Sequence, residues 1–233
     1  MKKLAIFVEG KTEQIFVEKL LQEIADKNSI AIEIIAVNAN QKGKDISTIK
    51  SAVVTSETKF YVLIYNSSGH KNVGSDMRKQ YSKLITSGYE RVIGLRDVDP
   101  TPIHQKSKLQ HDLDFLLPKG SIPINVVLAV MEVEAWFLAE YNHFIKIDSS
   151  LTPDKIKQLF GFNPQTDDME ARLKPADDIK QIYNHVGKGY NKSERQINRL
   201  AANLDYEFIY IKLVNRVPSL GEFIRYIDKF ITY

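Results

Sequence analysis

Residues 4–16, LAIFVEGKTEQIF, decide the fold class of this chain. The stretch opens with an apolar run of strand length, and Glu9 and Gly10 follow as a turn. Apolar residues then recur at helical spacing, with Thr12 as the predicted N-cap and Glu13 in the first turn. A strand that leads through a short turn into a helix is the unit from which parallel sheets are built. The stretch therefore predicts an α/β protein.

The same alternation of strands and helices continues over about the first 140 residues. Further strands are predicted where apolar residues run together, and helices are predicted between them. The strands are Ile30–Val37, Tyr61–Tyr65, Arg91–Leu95 and Ile122–Val130, and the helices are Ile46–Ser56, Met77–Thr86 and Ser107–Leu117. Strands that are apolar on both faces and separated by helices indicate a mainly parallel, Rossmann-like sheet with helices on both faces.

The strand signals fade in the last part of the chain, which is mostly helical by its pattern. The predicted helices are Pro153–Phe160, Ala176–His185, Ser193–Leu204 and Ser219–Phe230, and one more strand is predicted at Phe208–Leu213. We therefore predict a catalytic α/β domain over residues 1–145 and a helical C-terminal extension over residues 146–233 that packs on it.

The composition excludes several classes of protein. With 43% hydrophobic and 26% charged residues among 233, the chain is expected to fold into a globular body. It contains no cysteine, so disulfides, thiolate catalysis and cysteine-ligated metals are excluded. No apolar run reaches the roughly 20 residues of a membrane span, and no signal-peptide cleavage site follows residues 1–8, so we expect a cytoplasmic protein without a membrane partner. The net charge of +3 does not by itself identify a nucleic-acid partner.

Acidic side chains follow three of the predicted strands. Glu9 follows the first strand, Asp97 and Asp99 follow a later one, and Glu132 and Glu134 follow another. Ligands of parallel α/β sheets bind beyond the carboxyl ends of the strands, and side chains two residues apart on an extended segment point the same way. Taken alone, any one of these acids could be an ordinary solvated residue at the end of a loop or a helix N-cap. Their coincidence after three strands favours a Mg²⁺ or Mn²⁺ site, because these hard cations prefer carboxylate oxygens.

Three segments carry a resemblance to a known family. They are Ile6–Glu13 (IFVEGKTE), Asp97–Asp99 (DVD) and Glu132–Glu140 (EVEAWFLAE). In this order they resemble a TOPRIM domain and, more narrowly, the DUF4276 family, whose members carry a VEGxTE start and an EAWLLAD-like segment. The TOPRIM fold is shared by topoisomerases, DnaG-type primases and OLD-family nucleases.

The resemblance implies a set of site residues. Glu9, Asp97 and Asp99 match the TOPRIM acids that hold a divalent metal for phosphodiester chemistry. Glu13 matches a further metal ligand of the OLD-like nucleases. The third acid of DxD-type motifs has to be Glu132 or Glu134, and Glu134 with Glu13 would complete a second metal position. The implied metal ligands are therefore Glu9, Glu13, Asp97, Asp99 and Glu134.

The activity that these residues predict is metal-dependent hydrolysis of DNA or RNA by an activated water. Glu9, Asp97 and Asp99 are the predicted catalytic acids, and Lys11 is placed to contact the scissile phosphate as a point charge. The family resemblance adds an expectation of a role in phage defence.

Two other readings stay open. The chain fits a non-catalytic metal-binding or nucleic-acid-binding subunit that works with a separate ATPase, as in OLD-like systems. Residues 97–101, DVDPT, also fit the DxDxT motif of haloacid-dehalogenase-like phosphatases, in which the first Asp is a nucleophile. That motif normally follows the first core strand, whereas here several predicted strands precede it, so the phosphatase is the less favoured reading.

Basic residues are concentrated between residues 172 and 199. Lys174, Lys188, Lys192 and Arg195 are the predicted nucleic-acid contacts, with two tyrosines interleaved that could stack on bases. An ordinary solvated helical face accounts for the same residues equally well.

Overall fold

The computed structural model of the chain describes residues 1–25, 29–40 and 43–231. Within them six strands form one sheet in the order β3-β2-β4-β1-β5-β6. The strands are β1 (Lys2–Val8), β2 (Ile30–Asn40), β3 (Gly43–Lys50), β4 (Phe60–Asn66), β5 (Arg91–Asp97) and β6 (Ile124–Ala129). β1 pairs in parallel with both β4 and β5, β2 pairs in parallel with β4, and β3 is antiparallel to β2. The predicted α/β class with a mainly parallel, Rossmann-like sheet is confirmed.

The helices of the described residues alternate with the strands in the first half and follow one another in the second. They are α1 (Lys11–Ile24), α2 (Asn72–Thr86), α3 (Lys106–Leu116), α4 (Glu134–Ala139), α5 (Asn142–Ile147), α6 (Pro153–Phe160), α7 (Pro175–His185), α8 (Glu194–Asn203), α9 (Tyr206–Ile211) and α10 (Pro218–Ile231). The mostly helical C-terminal part is therefore confirmed. None of the helices in residues 1–25, 29–40 and 43–231 has the length and apolar character needed to cross a membrane.

The chain divides into two compact units. The first comprises Met1–Arg96, His104–Leu128 and Arg225–Tyr233, and the second comprises Asp97–Ile103 and Ala129–Ile224. The first unit contains α1 to α3 and the body of the sheet, and the second contains α4 to α9. The predicted domain division after residue 145 stays a prediction.

In the first unit, β1 lies in the middle of the sheet between β4 and β5. Every residue from Leu4 to Val8 is fully buried, which is the pattern of a parallel strand covered on both faces. Val8 lies opposite Asn66 on β4 and opposite Leu95 on β5. The turn that carries Glu9 therefore starts at the carboxyl edge of the sheet.

Two predicted elements are wrong. The first part of the stretch predicted as the helix Ile46–Ser56 belongs to strand β3, in which Ile46 lies opposite Val37 of β2. Ile46 and Ile49 imitate helical spacing, but the β-branched residues of this stretch favour an extended chain. The predicted strand Phe208–Leu213 lies mostly in helix α9.

The starts of α9 and α1 both depend on their caps. The Asp205 carboxylate accepts a hydrogen bond from the backbone N–H of Phe208 at 2.9 Å, which satisfies one of the free donors at the start of α9. At α1 the N-cap is Gly10, two residues before the predicted N-cap Thr12, which lies inside the helix.

Candidate functional site

The two acidic segments of the second unit lie side by side. β5 ends at Asp97, and the chain turns at Asp99 and Pro100. The backbone N–H of Val98 donates to the carbonyl of Ala129 at 3.0 Å, and that of Asp99 donates to the carbonyl of Met131 at 2.9 Å. The segment that carries Asp97 and Asp99 is therefore tied by its backbone to the segment that leads to the glutamates.

The side chain of Asp97 strengthens this link. Asp97 is buried, and its Oδ1 accepts a hydrogen bond of 3.0 Å from the backbone N–H of Val133. Met131, just before the glutamates, has a φ of 57°, which turns the chain sharply after β6. The turn and the Asp97 hydrogen bond together position Glu132 and Glu134 on either side of Val133.

Glu132 lies at the start of helix α7. Its Oε2 accepts a hydrogen bond of 3.0 Å from the backbone N–H of Ala176, and its Oε1 lies 3.1 Å from Nζ of Lys192. The first turn of a helix has free N–H donors and a positive end of the helix dipole, so it favours a carboxylate. Pro175, the first residue of α7, has no N–H, which costs the helix no hydrogen bond because that N–H would have no partner within the helix.

Glu134 is the first residue of α4 and is fully buried. Its Oε1 accepts hydrogen bonds from the hydroxyl of Tyr190 at 2.9 Å and from Nζ of Lys192 at 3.0 Å. Within the described residues, Oε2 has no hydrogen-bond partner. Burial raises the pKa of the Glu134 carboxyl, Lys192 and Tyr190 oppose this shift, and the neighbouring Glu132 adds to it.

Lys192 joins the two glutamates through one ammonium group, which contacts both Oε1 atoms. Burial by itself lowers the pKa of Lys192, but the charges of Glu134 and Glu132 outweigh it, so the pKa is raised. The lysine stays charged across the ordinary pH range, and it neutralises acids that would otherwise repel each other.

Asp99 forms an ion pair with a second lysine. Its Oδ1 lies 2.9 Å from Nζ of Lys174, the N-cap residue of α7, and this hydrogen bond raises the pKa of the lysine. The Lys174 side chain is 62% exposed, so water and salt screen this pair far more than the pair at Glu134. We call the set of Asp97, Asp99, Glu132, Glu134, Lys174 and Lys192 the acid–lysine cluster.

The structure thus brings together residues that were predicted to have different functions, as metal ligands and as nucleic-acid contacts. Lys174 and Lys192, predicted as nucleic-acid contacts, lie directly on the acids predicted as metal ligands. Lys188 and Arg195, the other two predicted contacts, are exposed on the same stretch of chain.

The two tyrosines interleaved with these basic residues are Tyr183 and Tyr190, and both rings are buried, so neither is available to stack on bases. The sequence offered no signal for the hydrogen bond of Tyr190 to Glu134, since the two residues are far apart in the chain.

Three predicted site residues belong to the first unit. Glu13 is buried, and its Oε2 accepts a hydrogen bond of 2.9 Å from the backbone N–H of Gly10, so it caps helix α1. Lys11 is the first residue of that helix and is half-buried, and Glu9 is also half-buried. The sharing of a metal by Glu9 and Glu13 with the acids of the cluster stays a prediction.

The acid–lysine cluster can be tested for its fit to a divalent ion. Its carboxylate oxygens are the donors that Mg²⁺ and Mn²⁺ prefer, and the buried Oε2 of Glu134 is an acceptor to which no described residue donates. Among the residues that the structure describes, no three or more histidine, aspartate or glutamate side chains are grouped so that they could hold a metal ion. The donors fit such an ion chemically, while their present arrangement is one of acids bound to lysines.

The fold and the cluster define an α/β protein with a Rossmann-like sheet and an acid–lysine cluster where β5 ends. The chain belongs to the DUF4276 family, whose model, described as "Domain of unknown function (DUF4276)", matches residues 8–227. No curated protein and no solved structure matches the chain. The family predicted from the VEGKTE and EAWFLAE segments is therefore confirmed.

Proposed function

We propose that this protein is a divalent-metal-dependent nuclease that hydrolyses phosphodiester bonds of DNA or RNA. The acid–lysine cluster is the observation that carries the proposal. It combines four carboxylates, which suit a hard cation, with two ammonium groups, which suit a phosphate. In metal-dependent hydrolysis the ion activates a water, and ammonium groups beside it can offset the charge of the phosphate.

The acids have distinct roles in the proposal. Asp97, Asp99 and Glu134 would hold Mg²⁺ or Mn²⁺, and Glu9 and Glu13 would join them as the TOPRIM resemblance implies. When bound, the ion supplies a water of lowered pKa and neutralises charge on the phosphate oxygens. The buried Glu134 offers its free Oε2, and the hydrogen bond from Val133 fixes the orientation of the Asp97 carboxylate.

The basic residues would hold the substrate. Lys174 and Lys192 lie on the acids, and Lys188 and Arg195 are exposed nearby in the chain, where they can contact successive phosphates. Lys11 keeps its proposed contact with the scissile phosphate. Specificity for DNA or for RNA does not follow from contacts of this kind, because they read only the backbone.

The relation to TOPRIM domains and OLD-family nucleases is part of the proposal. It is supported by the mainly parallel sheet and by the position of two acidic motifs on neighbouring strands. Glu9 follows β1, Asp97 ends β5, and these strands pair in parallel. A cytoplasmic location and a role in phage defence are proposed from the same resemblance.

The second candidate function is that of a non-catalytic subunit that binds metal or nucleic acid beside a separate ATPase. The ion pairs of the cluster favour it, because Lys174 and Lys192 occupy acids that a catalytic metal would need.

Cleavage assays separate the two candidates. The protein is incubated with labelled single-stranded and double-stranded DNA and RNA, with Mg²⁺, Mn²⁺ or a chelator. Asp97→Asn and Glu134→Gln keep the size of each side chain and remove its charge, and both should abolish cleavage. Glu207→Gln, at an exposed position of α9, is the matched control and should leave it intact. Full activity in both cluster variants, or no cleavage with either metal, contradicts the nuclease.

A further inference from the structure

We infer that the first unit carries a second binding site, which holds a mononucleotide in a cavity between one face of the sheet and helix α2. The cavity has a volume of about 380 Å³ and is lined by residues of β1 to β4, of α2 and of the turn after it. Ligand pockets range over about 300–1,000 Å³, so this cavity suits a small ligand. Its described lining residues belong to the first unit and the acid–lysine cluster to the second, so the inference does not depend on the proposed nuclease.

The strand register places the lining side chains on one face of the sheet. Lys3 of β1 lies opposite Tyr61 of β4, and Glu33 of β2 lies opposite Leu63 of β4. Tyr61 and Leu63 are two residues apart on one strand, so all four side chains point to the same face. Lys3 and Tyr61 lie near the starts of their strands, whereas Glu9 follows the end of β1. The cavity therefore begins at the edge of the sheet opposite to Glu9.

The walls of the cavity are rich in aromatic rings, which suit a flat ligand. Among the described lining residues the aromatic ones are Phe7, Tyr61, Tyr65 and Tyr89. The rings of Tyr61 and Tyr89 pack edge to face with their centroids 6.5 Å apart, and the centroids of Phe7 and Tyr65 lie 4.8 Å apart. Nucleobases pack favourably on aromatic side chains because every base has a π-face. The base of the nucleotide is therefore the part of the ligand that we place among these rings.

Glu33 supplies a hydrogen-bond acceptor in the cavity. Its Oε2 accepts a 2.6 Å hydrogen bond from the hydroxyl of Tyr61. Burial is the larger cause, and the nearby Glu33 the smaller one, of the raised pKa of Tyr61 and of Tyr89, so both hydroxyls stay protonated at neutral pH. An ionised carboxylate has about four acceptor positions, so Glu33 can accept a further hydrogen bond from a ligand. The amino group of adenine, guanine or cytosine is a donor of the required kind.

Lys3 and Lys83 favour an anionic ligand. Of the described residues that line the cavity, these two are basic and a single one is acidic. The Lys3 ammonium group lies 5.9 Å from the ring centroid of Tyr61 and 5.8 Å from that of Tyr89, and it donates to the carbonyl of Ser87 at 2.9 Å. Lys83 is exposed on α2. A phosphate at the exposed side of the cavity can contact these ammonium groups while the base packs among the rings, and the same two charges repel a cationic ligand.

Calorimetric titration of the full chain with mononucleotides tests the inference. A chelator is present, so binding does not pass through the proposed metal site. AMP, GMP and CMP should bind, and UMP, whose base has no amino group, should bind several-fold more weakly. Adenosine and inorganic phosphate each offer one part of AMP, and each should bind at least about fivefold more weakly than AMP. Absence of binding by AMP, GMP and CMP overturns the inference, as does adenosine or phosphate that binds as tightly as AMP.

A pair of lysine variants tests where the nucleotide binds. Lys83→Met changes an exposed residue of the lining and should weaken AMP binding about fivefold, the effect of one exposed ion pair. Lys79→Met removes an exposed lysine of the same helix that does not line the cavity, and it should keep the affinity of the unmodified protein. Equal AMP affinity in the two variants overturns the inference.

Sedimentation of the unmodified protein tests the competing occupant, a second copy of the chain. Ile46 lines the cavity and is 56% exposed, so Ile46→Asp would disrupt an interface on this face. A monomer that binds AMP supports the inference. A dimer that Ile46→Asp converts to a monomer, together with no nucleotide binding, would assign this face to the second copy and overturn the inference.

Discussion

The hydroxyl of Tyr190 donates a 2.9 Å hydrogen bond to Oε1 of Glu134, and both side chains are almost completely buried. Lys192, two residues later, contacts the same oxygen. One short segment therefore supplies both the neutral donor and the positive charge that a buried carboxylate requires.

Tyr190→Phe is expected to destabilise the protein. The change removes the hydroxyl and keeps the ring, so it tests the hydrogen bond alone. A buried hydrogen bond to a charged group contributes about 1–3 kcal/mol, and we expect a loss of that size in the free energy of unfolding, measured with urea. Tyr141→Phe removes a hydroxyl that takes a 3.4 Å contact from Gln165 at an exposed position, and should cost less than half as much. Equal losses in the two variants would contradict the assigned role of Tyr190.

Glu13 allows the structural and the metal-binding roles of one acid to be separated. Its carboxylate caps α1 by accepting from the backbone N–H of Gly10, and Gln at this position can accept the same hydrogen bond. Glu13→Ala should lower the free energy of unfolding by about 1 kcal/mol, whereas Glu13→Gln should lower it far less. If Glu13 is also a metal ligand, Glu13→Gln should weaken Mn²⁺ binding while it retains stability. Unchanged Mn²⁺ affinity in Glu13→Gln would leave the residue with the capping role alone.

The strands could be predicted where burial makes them continuously apolar. Leu4–Val8 is the clearest case, because both faces of β1 are covered and the whole run is hydrophobic. β3 was missed because it is an edge strand with Ile46 and Ile49 exposed, so burial did not impose the alternation by which strands are recognised. The apolar stretch at α9 favours a strand by its composition. It is helical in the structure, where Asp205 caps the start of the helix.

The acidic residues of the site could be predicted from the sequence, whereas their ion pairs with lysines could not. Glu134 and Asp97 are visible as acids that follow apolar runs, which is a local pattern. The contact of Lys192 with Glu132 joins residues 60 positions apart, and that of Lys174 with Asp99 joins residues 75 apart. Sequence periodicity does not reveal contacts between residues so far apart in the chain. The acids and the lysines were therefore predicted as two separate sites, although they form one cluster.

The raised pKa of Tyr89 makes the free energy of unfolding depend on pH in the alkaline range. Burial, with a smaller effect of the Glu33 charge, raises the pKa of its hydroxyl from about 10 to about 12. The folded state therefore keeps its proton where the unfolded state loses it. Stability from this group is fully present below pH 10 and is lost as the pH rises through 12. Urea unfolding between pH 9 and pH 12 should show a smaller decline in Tyr89→Phe than in the unmodified protein, and an identical decline would contradict the assignment.

Lys174 tests whether the exposed half of the cluster contacts phosphates. Its ion pair with Asp99 is exposed, so Lys174→Met should change the free energy of unfolding by less than about 1 kcal/mol. If the ammonium group contacts a phosphate, the variant should bind a fluorescent oligonucleotide more weakly, and the plot of log affinity against log salt should become shallower by about 1. Fluorescence anisotropy at several salt concentrations, with a chelator present to prevent cleavage, measures both quantities. Lys180→Met, on the same helix, should keep the slope of the unmodified protein. A slope that falls equally in both variants would mean that binding depends on the overall charge of the helix, and a slope unchanged in Lys174→Met would remove this lysine from the substrate surface.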